Sequence, residues 1–180
     1  HVKAVIYPAR TVSGYGHIYS LGAAGIPVVA LHPHWGFTFL SRYVREHHVT
    51  PDAAREPEAF VDWLISYGRR QTERPVLFLA EDLYAFIASS HSAGLAQLYR
   101  YPYIPANHLP VFFDKRHMLR EAGRAGLSVP PTTFSPLPAG WDEGWEWYPA
   151  VIKPVVSRFS FSGAKVLRLP AFPQVFGGKA

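Results

Sequence analysis

Val2-Lys3-Ala4-Val5-Ile6-Tyr7, then Pro8-Ala9-Arg10-Thr11-Val12-Ser13-Gly14-Tyr15-Gly16, and further on Gly25-Ile26-Pro27-Val28-Val29-Ala30-Leu31 carry the signature of the fold. The first is a short, mostly apolar run, and the second is turn-prone. A helix is expected from about His17 to Ala24, stopped by Gly25, because glycine accepts the left-handed conformation without a Cβ penalty. Pro27 to Leu31 is β-branched and apolar enough for a buried parallel strand. Strand, glycine-containing turn, helix and strand in that order make a βαβ unit, and the expected fold class is α/β with a Rossmann-like parallel sheet.

The pattern continues downstream. Phe60, Leu64 and Tyr67 share one face of a helix over Glu58 to Tyr67, with Val61 and Ile65 widening the stripe and Pro57 near its start. Pro75 to Ala80 reads as a further buried strand, which puts Asp82 in the loop at its carboxyl end, where open α/β sheets place ligand contacts. Tyr84 to Gln97 is expected to be helical with a break near Gly94, and Tyr101 to Pro105 is a proline-stiffened connector. A domain boundary is placed near His108 to Pro110, giving domains 1-109 and 110-180.

Beyond the boundary, Asp114 is a candidate N-cap for a helix over Lys115 to Ala125 whose Met118, Leu119, Ala122 and Ala125 form one apolar face. Gly126 ends it, and Val129 to Phe134 continues in extended form. The aromatic stretch Trp141 to Tyr148 leads to a strand over Ala150 to Lys153. A loop over Ser157 to Gly163 and a returning strand over Ala164 to Leu169 complete a candidate phosphate-covering flap.

Composition bounds the function. With 48% hydrophobic residues in 180, the chain can build one good-sized core or two small ones. The absence of cysteine excludes disulfides and thiolate metal sites. A net charge of +5 admits anionic partners, but the Lys and Arg residues are dispersed, with only the pairs Arg69-Arg70 and Lys115-Arg116 adjacent, so nucleotide phosphates fit better than nucleic acid. No apolar run has the roughly 18 to 20 residues of a membrane span, and a cytoplasmic protein that engages no membrane is the expectation. Nucleophile-elbow, P-loop and His-Glu-X-X-His patterns are absent from the sequence. His32-Pro33-His34 and His47-His48 invite a metal reading, but no neighbouring acid or cysteine completes a site, so no metal ligands are assigned.

Lys153 is the most informative residue, because it interrupts an otherwise apolar run and is followed by Pro154. An ammonium leaving such a strand requires an anionic partner or a route to water. Phe113-Asp114-Lys115, then Ala125-Gly126-Leu127-Ser128-Val129-Pro130-Pro131-Thr132, then Tyr148-Pro149-Ala150-Val151-Ile152-Lys153-Pro154 together resemble, in order and residue type, the ATP-grasp superfamily, and within it carboxylate-amine ligase-like proteins. The resemblance implies a pre-ATP-grasp domain followed by a truncated first ATP-grasp subdomain. It also implies that Lys115 and Lys153 approach ATP, and that Ser157, Ser160, Ser162, Gly163 and Lys165 belong to a loop closing over its phosphates. That loop departs from the glycine-rich form of many members. In the first domain the resemblance makes Gly14, Gly16 and Asp82 candidate contacts for the carboxylate or amine substrate.

Such ligases use ATP and magnesium, yet after Lys153 the chain has no Asp or Glu. The catalytic residues and the magnesium ligands are therefore expected beyond Ala180, with no cofactor held tightly by this chain and no ligase turnover by it alone. Two other readings stand beside this one. A dinucleotide-binding Rossmann module of an oxidoreductase would need an acidic residue after Leu31, where the chain has His32-Pro33-His34-Trp35. A non-catalytic α/β interaction module is the other, and an incomplete chain with exposed apolar surface is also open to self-association, as a homodimer, where its missing half would pack.

Overall fold

A computed structural model describes residues 2–134 and 149–155, together with the backbone of 167–169. The chain divides into two compact units, His1–Leu109 and Pro110–Ala180.

The first unit is built on four parallel strands, β1 (Ala4–Tyr7), β2 (Val28–His32), β3 (Val44–Val49) and β4 (Val76–Leu79). They lie in the order β3-β2-β1-β4, with Val5 opposite both Val29 and Leu77. After β1 the chain lays down β2 and β3 on one side and then crosses to place β4 on the other. The direction of winding therefore reverses at β1, which opens a crevice at the carboxyl ends of β1 and β4. The α/β, Rossmann-like class expected from the sequence is the one observed.

Alternation of side chains along the strands feeds two cores. On one face Val5, Tyr7, Val29, Leu31 and Leu77 pack under Phe60, Val61, Leu64 and Tyr67 of α2 (Pro57–Arg69) and under Ile87, Ala88 and Leu95. Ile87 and Ala88 belong to α3 (Asp82–Ser90), and Leu95 to the short α4 (Ser92–Leu95). On the other face Ile6, Val28 and Ala30 pack under Ile18 of α1 (Val12–Ala23) and under Phe39, which a 3-10 turn at Phe37–Leu40 carries inward. Each large aliphatic or aromatic side chain buried in these layers contributes on the order of 1.5–3 kcal/mol before entropy is charged.

Several expectations from sequence need correction. The helix after β1 begins at Val12, not His17, so Gly14 and Gly16 are helical residues rather than turn residues. The cause is Thr11, whose hydroxyl oxygen accepts from the Gly14 N–H at 3.0 Å and starts the helix five residues early. Strand β3 is an edge strand absent from the sequence reading; Val44, Glu46 and His48 are half-buried while Arg45, His47 and Val49 are exposed. The helical break expected near Gly94 falls at His91, and a five-residue helix α5 (Leu109–Phe113) lies at the expected domain boundary, where no element was read.

The far side of β4 has one residue of further pairing. The Leu77 N–H donates to the Arg100 carbonyl and the Arg100 N–H donates to that of Pro75, at 2.9 and 2.8 Å.

In the second unit α6 (Lys115–Arg124) follows its N-cap Asp114, and β5 (Ala150–Ile152) pairs antiparallel with β6 (Leu167–Leu169). Met118 is 42% exposed and no residue of α6 is fully buried among the described residues. The aromatic stretch 141–148 and the loop residues Ser157, Ser160, Ser162, Gly163 and Lys165 lie outside the described residues.

Candidate functional site

In the second unit the geometry is set by Asp114 and Lys115. Asp114 has extended backbone, and its carboxylate accepts from the Arg116 N–H at 2.8 Å and from the Arg116 guanidinium at 2.7 Å. That guanidinium, with the backbone donors of the first helical turn, holds the Asp114 carboxyl well below the usual carboxylate range. The cap fixes where α6 begins, and hence where Lys115 projects.

Lys115 is tied to the segment that leaves β5. Its N–H donates to the Val155 carbonyl at 3.1 Å, while its ammonium donates to the carbonyls of Pro154 at 2.9 Å and Val155 at 3.4 Å. Pro154 follows directly on Lys153, so the structure brings the helix-opening lysine to the end of the strand that carries the second lysine. The Lys153 side chain is exposed, the arrangement of a strand-end cation that reaches an anion or water.

An open cleft of about 450 Å³ flanks the same helix. Arg116, Leu119 and Arg120 of α6 line one side, and Val129, Pro130, Pro131, Thr132 and Phe134 line the other. The Arg116 guanidinium is already paired with Asp114, so over the apolar floor it is the Arg120 guanidinium, one helical turn on, that stands to meet an anion. The sequence reading passed over these arginines, although their i,i+4 spacing on α6 was there to be read.

In the first unit the predicted contacts fall on different elements. Asp82 opens α3 and is exposed, immediately beyond the carboxyl end of β4. Gly14 is buried, its N–H is taken by Thr11, and a Cβ there would run into the Pro8 carbonyl oxygen. Gly16 is exposed, and a Cβ on it would meet nothing within 4 Å. A group missed in the sequence stands beside them. The Arg10 guanidinium donates to the Trp35 carbonyl at 3.2 Å and lies so close over Gly36 that a Cβ there would be 2.5 Å from its Nε.

The histidine pairs find local uses. His32 exchanges contacts with the backbone of His34 at 3.0 Å, and burial, aided by the nearby Arg10, holds its pKa below the ordinary imidazole value. His47 stacks on Phe39 at 4.8 Å, and His48 meets the Glu46 carboxylate at 2.7 Å. No group of three or more His, Cys, Asp or Glu residues able to hold a metal exists among the described residues. No helix among them is long and apolar enough to cross a membrane.

Four parallel strands flanked on both faces by helices define a Rossmann-like α/β protein. No family model matches the chain, and no curated protein matches it. Among solved structures it is similar to an L-amino acid ligase from Bacillus licheniformis, with a TM-score of 0.62 over 93% of this chain at 16% sequence identity. The chain spans 38% of the length of that ligase. At this identity the likeness is one of fold.

Proposed function

We propose that this chain is the leading part of an ATP-dependent carboxylate-amine ligase. Residues 1-109 would form its pre-ATP-grasp domain and 110-180 the opening of its nucleotide-binding domain. The observation that carries the reading is the contact of the Lys115 ammonium with the Pro154 and Val155 carbonyls, which joins the helix-opening lysine to the strand end bearing Lys153. Both residues occupy the positions singled out by the ATP-grasp resemblance, and the fold is shared with an L-amino acid ligase.

In this reading ATP supplies the phosphoryl group that activates a carboxylate for attack by an amine. The chain's part is positioning and charge neutralisation. Lys153 meets phosphate, and Lys115 is held on carbonyls at hand to join it, with Ser157, Ser160, Ser162, Gly163 and Lys165 covering the phosphates. Asp82, exposed at the crevice of the first domain, is offered to the amine or carboxylate substrate. The lack of any Asp or Glu after Lys153 leaves that stretch without magnesium ligands, so nucleotide binding by the 180-residue chain is weak and amide formation absent.

An NMR titration with magnesium ATP tests the reading. Amide signals of Lys115, Arg116 and residues 152–155 are expected to shift together at millimolar nucleotide, and Lys153→Met to suppress the shift. A response to NAD at the carboxyl ends of β1 and β2, with none to ATP at Lys153, would instead establish the dinucleotide-binding alternative.

A further inference from the structure

We propose that the outward face of α1 is the surface on which a second copy of this chain docks, helix against helix about a two-fold axis. The inference concerns the first unit alone and holds whichever reaction the protein serves.

Helix α1, with the sequence Val-Ser-Gly-Tyr-Gly-His-Ile-Tyr-Ser-Leu-Gly-Ala, contains no Asp, Glu, Lys or Arg. Its inner face is accounted for, since Ile18 and Gly14 are buried and Leu21 packs against the same core. The outer face is left with Val12 at 94% exposure, together with Tyr15, Gly16, Tyr19 and Ala23, all exposed, and its polar residues are the uncharged Ser13 and Ser20. A helix that lies on a domain surface and faces water keeps polar and charged residues outward. The chain follows that rule elsewhere: α2 exposes Glu58, Asp62 and Arg69, and α6 carries Lys115, Arg116, Arg120, Glu121 and Arg124. Of the three longest described helices, α1 alone turns no charged residue to the surface.

The apolar surface extends past the helix. The 3-10 turn that sends Phe39 into the Ile18 core leaves Phe37 at 85% exposure and Leu40 exposed as well. Tyr43 joins the two elements, edge-on to Tyr19 at 5.5 Å. Charge begins at the rim, with Arg10 over Gly36 beside Phe37, and with Arg42, whose guanidinium lies over the Tyr43 ring at 4.8 Å and donates to its hydroxyl at 2.7 Å. An apolar patch bordered by such a rim marks a protein-protein contact.

Charge identifies the partner. Across a two-fold axis each side chain near the centre meets its own copy, so a charge there would face a charge of the same sign. A partner of different sequence imposes no such condition, because opposite charges could pair across the contact. A helix with no charge in any of its turns meets the two-fold condition throughout. Gly16, in the middle of the face with open space where a Cβ would be, lets two such helices cross closely. Tyr15 and Tyr19 flank it with broad rings whose hydroxyls can stay wet.

Sedimentation equilibrium of the 180-residue chain across the micromolar range tests this. A monomer-dimer equilibrium is expected, and Gly16→Arg, whose side chain enters open space in the monomer, should weaken it by at least about tenfold with an unchanged circular dichroism spectrum. Val12→Lys supplies a second disruption at an exposed site, and Arg42→Ala at the rim should have little effect. A monomer at every concentration overturns the proposal, as does a dimer indifferent to both α1 substitutions. So does a monomer in which α1 is protected from solvent, because the chain's own residues would then cover the face.

Discussion

The hydroxyl of Tyr7, at the end of the central strand β1, accepts a hydrogen bond from the Ala53 N–H at 3.1 Å, with both residues fully buried. This one bond ties the middle of the sheet to the loop that connects β3 to α2. Replacing Tyr7 with Phe keeps the ring, which lies 4.3 Å from that of Phe60, but leaves the Ala53 donor unsatisfied in the core. A buried donor without a partner costs about 1–3 kcal/mol, and a shift of that size in the urea midpoint is expected for Tyr7→Phe with little change in m-value.

Buried tyrosines set the alkaline limit. Burial raises the hydroxyl pKa values of Tyr7, Tyr67 and Tyr99 well above the ordinary 10.0 and pushes that of Tyr101 up to about 12. The folded state therefore retains protons that the unfolded chain releases. Stability from these groups is complete below pH 10 and falls as the pH rises from there towards the folded values. Thermal melts above pH 10 should show a steady fall in Tm, with the share of the tyrosinate absorbance near 295 nm that belongs to the buried rings appearing only as the protein unfolds. Ionisation of every tyrosine without loss of structure would contradict the burial described for Tyr7 and Tyr99.

Two glycines of one helix should respond to alanine in opposite directions. Gly14→Ala drives a Cβ into the Pro8 carbonyl, and neither partner is a side-chain end that can swing away. A loss of a few kcal/mol, on the scale of overpacking a rigid site, is expected from equilibrium unfolding. Gly16→Ala meets nothing and gains helix propensity, for about 0.5–1 kcal/mol of added stability when measured on dilute protein.

At the amino end of the sheet, the Lys3 ammonium bridges Glu46 at 2.8 Å and Gln71 at 3.0 Å, and Glu46 also meets His48. Burial alone would raise the Glu46 pKa, but the hydrogen bonds from Lys3 and His48 outweigh it and hold it below the ordinary 4.5. The contribution is present above pH 4.5 and is lost as the pH falls through the depressed value. Because both side chains are about one-third exposed, Lys3→Met should cost no more than about 1 kcal/mol at pH 7 and much less at pH 3. Denaturant titrations at the two pH values measure the difference.

Legibility from sequence followed burial. Strands β2 and β4 were evident because Val28 to Leu31 and Val76 to Leu79 lie between helices and are apolar at nearly every position. Strand β3 was hidden because it forms the sheet edge, where Arg45 and His47 face outward and the inward positions include Glu46 and His48. Polar residues that satisfy one another across strands leave no hydrophobic period to detect. The start of α1 was missed for a related reason. Gly14 and Gly16 signal a turn, yet Gly14 is required by the approach of the Pro8 carbonyl, a contact that exists only once the chain has folded. In the second unit Asp114, Lys115 and Lys153 could be located by residue type and order. The Arg116 and Arg120 cleft was not, because its far wall comes from Val129 to Phe134 across a glycine turn.

The parallel sheet has two rims, and the chain treats them differently. At β3 the rim is defended by composition, since a stranger's strand laid along Arg45 and His47 would have to accommodate the charge of the first and the bulk of both. At β4 the defence is occupancy: Arg100 already fills the hydrogen-bonding places at Pro75 and Leu77. Removing that residue's carbonyl from reach, by loosening the Tyr99 to Tyr101 segment, would turn a closed rim into a template, and ordered aggregation should begin there rather than at the charged side.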